Sequence, residues 1–212
     1  PLKACGQYLR YVFLTGITKF SQLSIFSELN NIQNISMMPE YAAVCGITEE
    51  EMRTQMDADI ALLAERLGTT KEDVLQQLKT YYDGYHFTWP SPDVYNPFSL
   101  VASFSEGRIS SYWFGSGTPT YLIEMLNKYQ VIPQAISGRK CKASDFDAPT
   151  ERMTDITPLF YQSGYLTIKN YSSFSRLYLL DIPNKEVRIG LMKSLLANYV
   201  RRPMEVNTLV GE

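Results

Sequence analysis

Apolar positions recur at helical spacing between residues 48 and 68. They fall every three or four residues, at Met52, Met56, Ile60, Leu63 and Leu67. Thr48 and Glu51 have the spacing of a capping box, in which each side chain accepts a hydrogen bond from the other residue's backbone N–H. Because Gly68 directly follows the last apolar position, the pattern predicts an amphipathic helix from Thr48 to Gly68.

A second helix is predicted directly after the first. Thr70 provides an N-cap, acidic residues occupy the first turn, and Asp83-Gly84 ends the helix. Its apolar positions share one face: Val74, Leu75, Leu78, Tyr81 and Tyr82. Residues 48–83 carry nine acidic and four basic side chains, so this pair of helices is poorly suited to bind the phosphate backbone of nucleic acid.

The first part of the chain contains a short apolar run, Tyr11 to Leu14, closed by Gly16. Four to six residues are too few for a buried helix, so the run predicts a central strand with neighbouring strands on both sides. Asn34–Met37 is predicted as a second strand, with a helical turn at Ser24–Leu29 between them. Two strands make no stable sheet, so we expect them to pair with sequence outside this chain, to pair with another copy, or to pack on the helices that follow.

The middle of the chain alternates between loops and helices. Residues 85–97 are rich in proline and aromatic residues, which predicts an aromatic loop with at most short extended pieces. Asn96-Pro97 begins a helix that ends at Gly107, and Thr118-Pro119 begins another with Leu122, Met125, Leu126 and Tyr129 on its apolar face. The stretch 131–148 is mixed and only partly helical by its pattern.

The last third predicts a helix followed by a hairpin. A short helix is expected within Asp155–Gly164, strands at residues 165–169 and 176–180, and a final helix from Pro183-Asn184 onward with Val187, Leu191, Leu195 and Tyr199 on one face. A helix followed by a two-stranded wing is typical of a winged-helix-like module. The predicted fold is therefore mainly α with short β elements, an α+β class.

Composition narrows the class of protein without naming a function. The 212 residues carry 20 Lys and Arg against 22 Asp and Glu, with 45% hydrophobic residues and 2 Trp, 15 Tyr and 10 Phe. This composition excludes a disordered chain and the overall basic field of a dedicated nucleic-acid binder. No segment approaches a membrane span and no signal peptide is evident, so we expect a cytoplasmic protein.

The sequence offers few residues for metal binding or catalysis. Cys5, Cys45 and Cys141 are widely separated and His86 is the single histidine, which argues against a zinc site and suits a reducing compartment. We therefore expect no metal ligands. Neither a GxxxxGK[ST] phosphate loop nor a GxGxxG loop is present, and no serine or cysteine has an evident base partner beyond His86. We therefore expect no ATP hydrolysis by this chain alone.

Three separated motifs, in order, resemble the bacterial AAA-ATPase-like family. They comprise residues 9–21 together with residues 24–31, then Tyr82-Asp83-Gly84-Tyr85-His86-Phe87, and Val94-Tyr95-Asn96-Pro97-Phe98-Ser99. Members of that family carry a P-loop and an acidic Walker B strand upstream, and commonly a PD-(D/E)XK-type nuclease-like domain downstream. The resemblance implies that this chain corresponds to the part after the Walker motifs, a remnant of an α/β P-loop sheet followed by a helical lid and the winged-helix-like module.

The resemblance also implies roles for particular residues. The run Tyr11–Gly16 is similar to the sensor strand of a P-loop ATPase, which makes Thr15, Thr18 and Lys19 sensor-like candidates near the γ-phosphate. The turn containing Asp83, Tyr85 and His86 would contact or report nucleotide. ATP and Mg²⁺ would be cofactors of the longer parent protein, and no cofactor is expected in this chain by itself.

The implied organisation has four parts. Residues 1–47 would be the end of the nucleotide domain, 48–130 a helical lid, 131–202 the winged-helix-like module and 203–212 a tail. On this interpretation the chain couples ATP binding in an upstream P-loop domain to an effector such as a downstream nuclease-like domain. Whether the parent hydrolyses ATP stays open.

An interaction module that uses no nucleotide is the alternative. Arg139, Lys140 and Lys142 form the single basic cluster and are the candidate nucleic-acid contact. The predicted recognition helix Asp155–Gly164 contains no Lys or Arg, so a domain-docking role for the wing is favoured over DNA binding. An exposed apolar strand edge would also allow a homo-oligomer.

Overall fold

A computed structural model describes residues 7–16, 33–113, 120–131, 136–150 and 153–201. Within these ranges the fold is α+β, as predicted, with helices α1 Glu49–Gln55, α2 Asp57–Leu67, α3 Lys71–Tyr82, α4 Pro97–Glu106, α5 Thr120–Lys128, α6 Ala143–Phe146, α7 Thr157–Gln162 and α8 Lys185–Arg201. The strands are β1 Ile47–Thr48, β2 Val94–Tyr95, β3 Arg139–Cys141, β4 Thr167–Ser172 and β5 Leu177–Asp181. None of the described helices combines the length and apolar character needed to cross a membrane.

Local capping fixes where the first helices begin. The Thr48 hydroxyl accepts from the Glu51 N–H at 3.2 Å, and the Glu51 carboxylate accepts from the Thr48 N–H at 2.9 Å, which confirms the capping box. The helix predicted over 48–68 is divided in two, because Met56 adopts φ −120° and ψ 20°. Asp57 then begins α2 with an acidic first turn, a favourable charge at a helix N-terminus.

The remaining helix boundaries of this region also follow local signals. Gly68 ends α2 in the left-handed conformation, with φ +63°, and the Thr70 side chain caps α3 by accepting from the Asp73 N–H. Asn96 caps α4 by accepting from the N–H groups of Phe98 and Ser99. Each of these boundaries was predicted from the sequence.

Helices α1 to α4 enclose the first hydrophobic core. Its buried members are Met52, Ile60, Leu63, Ala64, Val74, Leu75, Leu78, Tyr82, Tyr95 and Leu100. Strands β1 and β2 pair in antiparallel fashion, with Ile47 opposite Tyr95 and Thr48 opposite Val94. We call residues 47–83 and 95–110 the helical unit.

The second core lies between a three-stranded antiparallel sheet and helices α5 to α8. The strand order is β3-β5-β4, so the predicted hairpin of β4 and β5 is confirmed and gains β3 as an unpredicted third strand. The buried members of the second core are Tyr85, Val94, Leu126, Ile136, Phe146, Ile156, Leu159, Phe160, Tyr165, Leu166, Ile168, Leu180, Ile182, Val187 and Leu191. We call this part, including the 84–94 loop, the sheet unit.

Helix α5 packs with the sheet unit. Leu126 on α5 belongs to the second core, and α5 contacts α8. The boundary predicted at residue 130 places α5 in the lid, whereas the packing groups it with the elements that follow. Helix α7, the predicted recognition helix, has Thr157, Pro158, Leu159 and Phe160 buried, so it is a core element of the sheet unit.

Two predicted strands are wrong. Residues 11–16 have no regular structure and are exposed, including Tyr11 at 79% and Phe13 at 46%. Asn34–Met37 forms a turn, with a hydrogen bond of 3.1 Å from Met38 N to Ile35 O. A strand needs hydrogen-bonded neighbours, and no strand within the described residues pairs with either segment. The helical turn predicted at Ser24–Leu29 lies outside the described residues.

Candidate functional site

Three of the places at which the chain crosses between the two cores lie close to one another. Tyr82 belongs to the first core and Tyr85 to the second, Val94 to the second and Tyr95 to the first. The third crossing follows Ser110, in the segment after α4. Polar side chains hold the first crossing in place. We call this set the joint: residues 83–86 with Thr167, Lys169 and Asn184.

Asp83 ends α3 and is tied to the start of α8. The Asn184 side-chain amide donates to the Asp83 carbonyl at 3.1 Å, while its oxygen accepts from the Val187 N–H at 3.1 Å. Asn184 therefore caps α8 and binds the end of α3 with one side chain. The Asp83 carboxyl is buried, and its Oδ1 has no hydrogen-bond partner among the described residues. Burial, with the nearby Asp93 adding to it, raises the pKa of Asp83 to about 6.

Gly84 allows the closest approach in the joint. Its φ is +95°, and its carbonyl accepts a hydrogen bond from Lys169 Nζ, which also donates to Pro183 O at 3.2 Å. A Cβ at residue 84 would lie 2.6 Å from Pro183 O and 2.8 Å from Lys169 Nζ, so the position requires glycine on steric as well as conformational grounds. Lys169 is the extra residue of a β-bulge between Ile168 and Asn170.

The main chain of His86 is bound by Thr167. The Thr167 hydroxyl accepts from His86 N at 2.8 Å and donates to His86 O at 2.9 Å. The ring of His86 is buried, with Nε2 at 2.8 Å from Asp93 Oδ1 and Nδ1 at 2.9 Å from Ser91 Oγ. Burial lowers the pKa of His86, and the Asp93 carboxylate opposes that effect. Both ring nitrogens are engaged, which indicates a positioning role for this side chain.

A cleft of about 310 Å³ lies beside the joint. Its lining includes the rings of Tyr85, Phe87, Trp113 and Tyr161 together with Cys45. No Lys, Arg, Asp or Glu is among the described residues that line it, and the amide of Gln162 is bonded to the carbonyls of Phe146 and Ala148. The described lining therefore offers a phosphate group no Lys or Arg side chain.

A buried carboxylate, that of Glu186, lies at the third crossing and was not predicted from the sequence. Glu186 Oε1 accepts hydrogen bonds from Tyr112 N at 2.6 Å and Trp113 N at 2.8 Å. In sequence, Glu186 is an acidic residue in the first turn of a helix, a position that is usually exposed. No local signal distinguishes it from the other acidic residues that begin helices in this chain.

The structure brings together only part of the predicted site. Asp83, Tyr85 and His86 meet at the joint, with Tyr85 inside the second core. Thr15 is exposed in a segment without regular structure, while Thr18 and Lys19 lie outside the described residues. Within the ranges that the structure describes, no group of three or more His, Cys, Asp or Glu side chains could hold a metal ion.

The predicted basic cluster lies on and after the edge strand β3, away from the residues of the joint. Arg139 is paired with Asp155, with Nη2 and Oδ2 separated by 3.2 Å, and Lys140 and Lys142 are exposed. The carboxylate of Asp145 accepts from the Lys142 backbone N–H at 2.8 Å. Neighbouring acidic groups therefore reduce the positive field of the cluster, which weakens it as a phosphate contact.

Comparison with known proteins gives one informative relative. The chain is 33% identical over 215 residues to a protein of Azotobacter chroococcum mcd 1 described as "Uncharacterized protein in vnfD 5'region". The match covers 100% of this chain and 39% of the relative, so the chain spans about two fifths of the length of that protein. No family model matches the chain. No solved structure matches it either.

Proposed function

We propose that this chain is the lid and winged-helix-like part of a bacterial AAA-like ATPase, and that it relays ATP binding in an upstream P-loop domain to an effector part of the same cytoplasmic protein. The observation that carries the proposal is the joint. It is a set of largely buried hydrogen bonds around residues 83–86, where the chain passes from the helical unit, which corresponds to the lid, to the sheet unit, which corresponds to the winged-helix-like module.

The joint has the properties that a relay requires. One short turn, residues 83–86, is bound by Asn184 from the start of α8 and by Lys169 and Thr167 from β4. Its donors and acceptors are buried or half-buried, so separating the turn from α8 and β4 would leave polar groups unpaired, at a cost of about 1–3 kcal/mol for each buried group. A rotation of α3 is therefore transmitted to the sheet unit more readily than it is absorbed within the turn.

The apolar run at residues 11–14 supports the proposed P-loop domain upstream of this chain. Tyr11 and Phe13 alternate with Val12 and Leu14, and all four side chains are exposed. Apolar residues on both faces are typical of an interior strand of a parallel sheet. The relative is longer than this chain, which leaves room for such a sheet elsewhere in a full-length protein. Thr15 follows the run directly, where the resemblance gives a sensor residue.

The three described residues that were predicted to contact or report nucleotide are engaged within the protein. The Asp83 carboxyl and the Tyr85 ring are buried, and both ring nitrogens of His86 face protein side chains. We therefore assign these three residues to the relay, and we assign ATP and Mg²⁺ to the upstream P-loop domain.

Parallel calorimetry on two chains tests the proposal. One is the present chain, and the other is extended upstream through the expected P-loop. We expect Mg-ATP to bind the extended chain only. Failure of the extended chain to bind ATP would contradict the proposal. Binding to the present chain would also contradict it, since that would require a nucleotide site within these residues.

The relay is tested by amide hydrogen exchange in the extended chain. ATP is expected to change the protection of β4 and α8, and Lys169→Met is expected to abolish that change while ATP still binds. Lys140→Met is the matched control, because Lys140 is exposed and lies outside the joint. A DNA affinity that falls with salt and is lost when Arg139, Lys140 and Lys142 are changed to Ala would instead favour the interaction module.

A further inference from the structure

The linker at residues 107–113 is held by one buried side chain from each unit. On one side, Tyr82 Oη donates to Ser110 O at 2.7 Å and accepts from Ser110 N at 3.0 Å. On the other side, Glu186 Oε1 accepts from the N–H groups of Tyr112 and Trp113. Ser111 is the single residue between the two attachments. The Tyr112 ring packs against the first core and its hydroxyl donates to Arg108 O at 2.9 Å, whereas Trp113 packs against the second core, so the chain passes to the sheet unit between Tyr112 and Trp113.

The two attachments differ in their charge. Tyr82 is fully buried, and burial raises the pKa of its hydroxyl above the ordinary value, so the group is neutral. Glu186 is also fully buried, and its Oε2 has no hydrogen-bond partner within the described part of the chain. No Lys, Arg or His among the described residues lies within ion-pair distance of it.

The surroundings of Glu186 are polar but uncharged. They comprise the hydroxyl of Ser99, the phenols of Tyr82 and Tyr85, and the backbone N–H groups of Tyr112 and Trp113. Burial raises the pKa of the Glu186 carboxyl, and the N–H donors of Trp113 and Tyr112 and the Ser99 hydroxyl oppose that effect. A buried carboxylate in uncharged surroundings raises the free energy of the closed state, in which Glu186 binds Tyr112 and Trp113. The carboxylate regains its hydration when that contact opens.

Opening at Glu186 would act directly on Trp113. The Trp113 ring packs against Tyr165 at 5.2 Å between centroids, and its edge lies about 3.5 Å from the position that a Cβ on Gly164 would occupy. Trp113 also lines the aromatic cleft. Glu186 therefore fixes the backbone that seats this ring on the sheet unit.

We propose that Glu186 is a latch for the linker: when Glu186 releases Tyr112 and Trp113, the linker pivots between these two residues while both cores stay folded. The free energy for opening is low because this attachment consists of two hydrogen bonds to a buried carboxylate that water would solvate. The inference rests on the proposed function only for what drives the opening. The latch itself is a property of this chain.

Native-state amide hydrogen exchange of the unmodified chain at residue resolution is the first test. The amides of Tyr112 and Trp113 should exchange by local opening, so their exchange free energy should be insensitive to low denaturant concentrations. The amide of Ser110, bound by Tyr82, should be more protected. Exchange of all three amides with the denaturant dependence of global unfolding would overturn the proposal.

Variants provide the second test. Glu186→Ala should accelerate exchange at residues 112 and 113 by about tenfold or more, while amides within α3 and α8 change less than about twofold. Glu186→Gln keeps a carbonyl acceptor and should accelerate exchange less than Glu186→Ala does. Tyr82→Phe is the matched variant, and it should accelerate exchange at Ser110 only. Equal acceleration throughout the chain in the Glu186 variants would overturn the latch.

The chain extended through the P-loop separates this inference from the proposed function. ATP should change exchange at residues 112 and 113, and Glu186→Gln should alter the size of that change. Local opening in the present chain with no response to ATP in the extended chain would support the latch and contradict the relay. An ATP response at β4 with no local opening at residues 112 and 113 would support the relay and overturn the latch.

Discussion

The hydroxyl of Thr167 makes both hydrogen bonds of the His86 main chain, one as acceptor at 2.8 Å and one as donor at 2.9 Å. A hydroxyl can serve both roles at once. Thr167 is at the start of the edge strand β4. The turn that follows the helical unit is thereby attached to β4 through a side chain 81 residues distant in sequence.

Replacing Thr167 by Val should weaken the fold at this contact. The two side chains have similar shape, but Val leaves the buried N–H and carbonyl of His86 without partners. We expect a loss of about 2–4 kcal/mol in the free energy of unfolding, measured by urea denaturation. Thr167→Ser keeps the hydroxyl and loses one methyl group, so it should cost only about 1 kcal/mol. Equal losses in the two variants would show that the hydroxyl contributes little.

Gly84→Ala should be more disruptive than a glycine substitution elsewhere. The added methyl would meet Pro183 O and Lys169 Nζ, and the positive φ would be strained, so we expect a loss of about 2–4 kcal/mol in the free energy of unfolding. Gly68 also has a positive φ, but a Cβ there meets nothing within 4 Å. Gly68→Ala should therefore cost only about 1–2 kcal/mol by thermal or urea denaturation. A similar loss at both positions would argue against a closely packed joint.

The sequence predicts the helix boundaries well because they depend on neighbours within four residues. Thr48, Thr70 and Asn96 each cap the helix that directly follows them, and Gly68 and Gly107 end helices in the left-handed conformation. These signals are independent of the rest of the fold. The break at Met56 is the exception, because an uninterrupted apolar pattern runs through it.

The joint and the attachment of the linker to Glu186 could not be predicted, because their contacts join distant parts of the chain. Lys169 and Gly84 are 85 residues apart, and Glu186 and Tyr112 are 74 residues apart. The motif that contains Asp83, Tyr85 and His86 marks the right turn, but the sequence does not show which residues bind it. The apolar run at 11–14 has the length and composition of a buried strand, yet strand pairing needs neighbours that the described residues do not supply.

Asp83→Asn should remove the destabilisation that ionising the buried Asp83 carboxyl causes as the pH rises. Burial raises the pKa of Asp83 to about 6, whereas an unfolded aspartate titrates near 4. Between pH 4 and pH 6, Asp83 is ionised in the unfolded chain but still protonated in the folded chain. The free energy of unfolding therefore includes the full contribution of protonated Asp83 below about pH 4, and this contribution is lost as the pH rises to about 6. The asparagine variant should therefore gain stability relative to the parent chain across this range, by about 3 kcal/mol at pH 7.

Urea denaturation between pH 4 and pH 8 measures this difference. Glu65→Gln is the control, because Glu65 is an exposed carboxylate on α2. A stability difference between Asp83→Asn and the parent chain that stays constant over the range would show that the carboxyl titrates normally in the folded protein.

Phe13→Asp tests whether Phe13 is a surface residue or belongs to a strand that pairs only in the longer protein. Phe13 is 46% exposed in a segment without regular structure, so the substitution should change the free energy of unfolding of the present chain by less than about 0.5 kcal/mol. In a chain extended through the expected upstream sheet, the same change would place a charge in a buried strand and should cost several kcal/mol, on the order of the 3–5 kcal/mol known for unpaired buried charges. Phe174→Asp serves as the control in both chains, because Phe174 is 100% exposed at the turn between β4 and β5. If Phe13→Asp stays neutral in the extended chain, residues 11–14 are not an interior strand of an upstream domain.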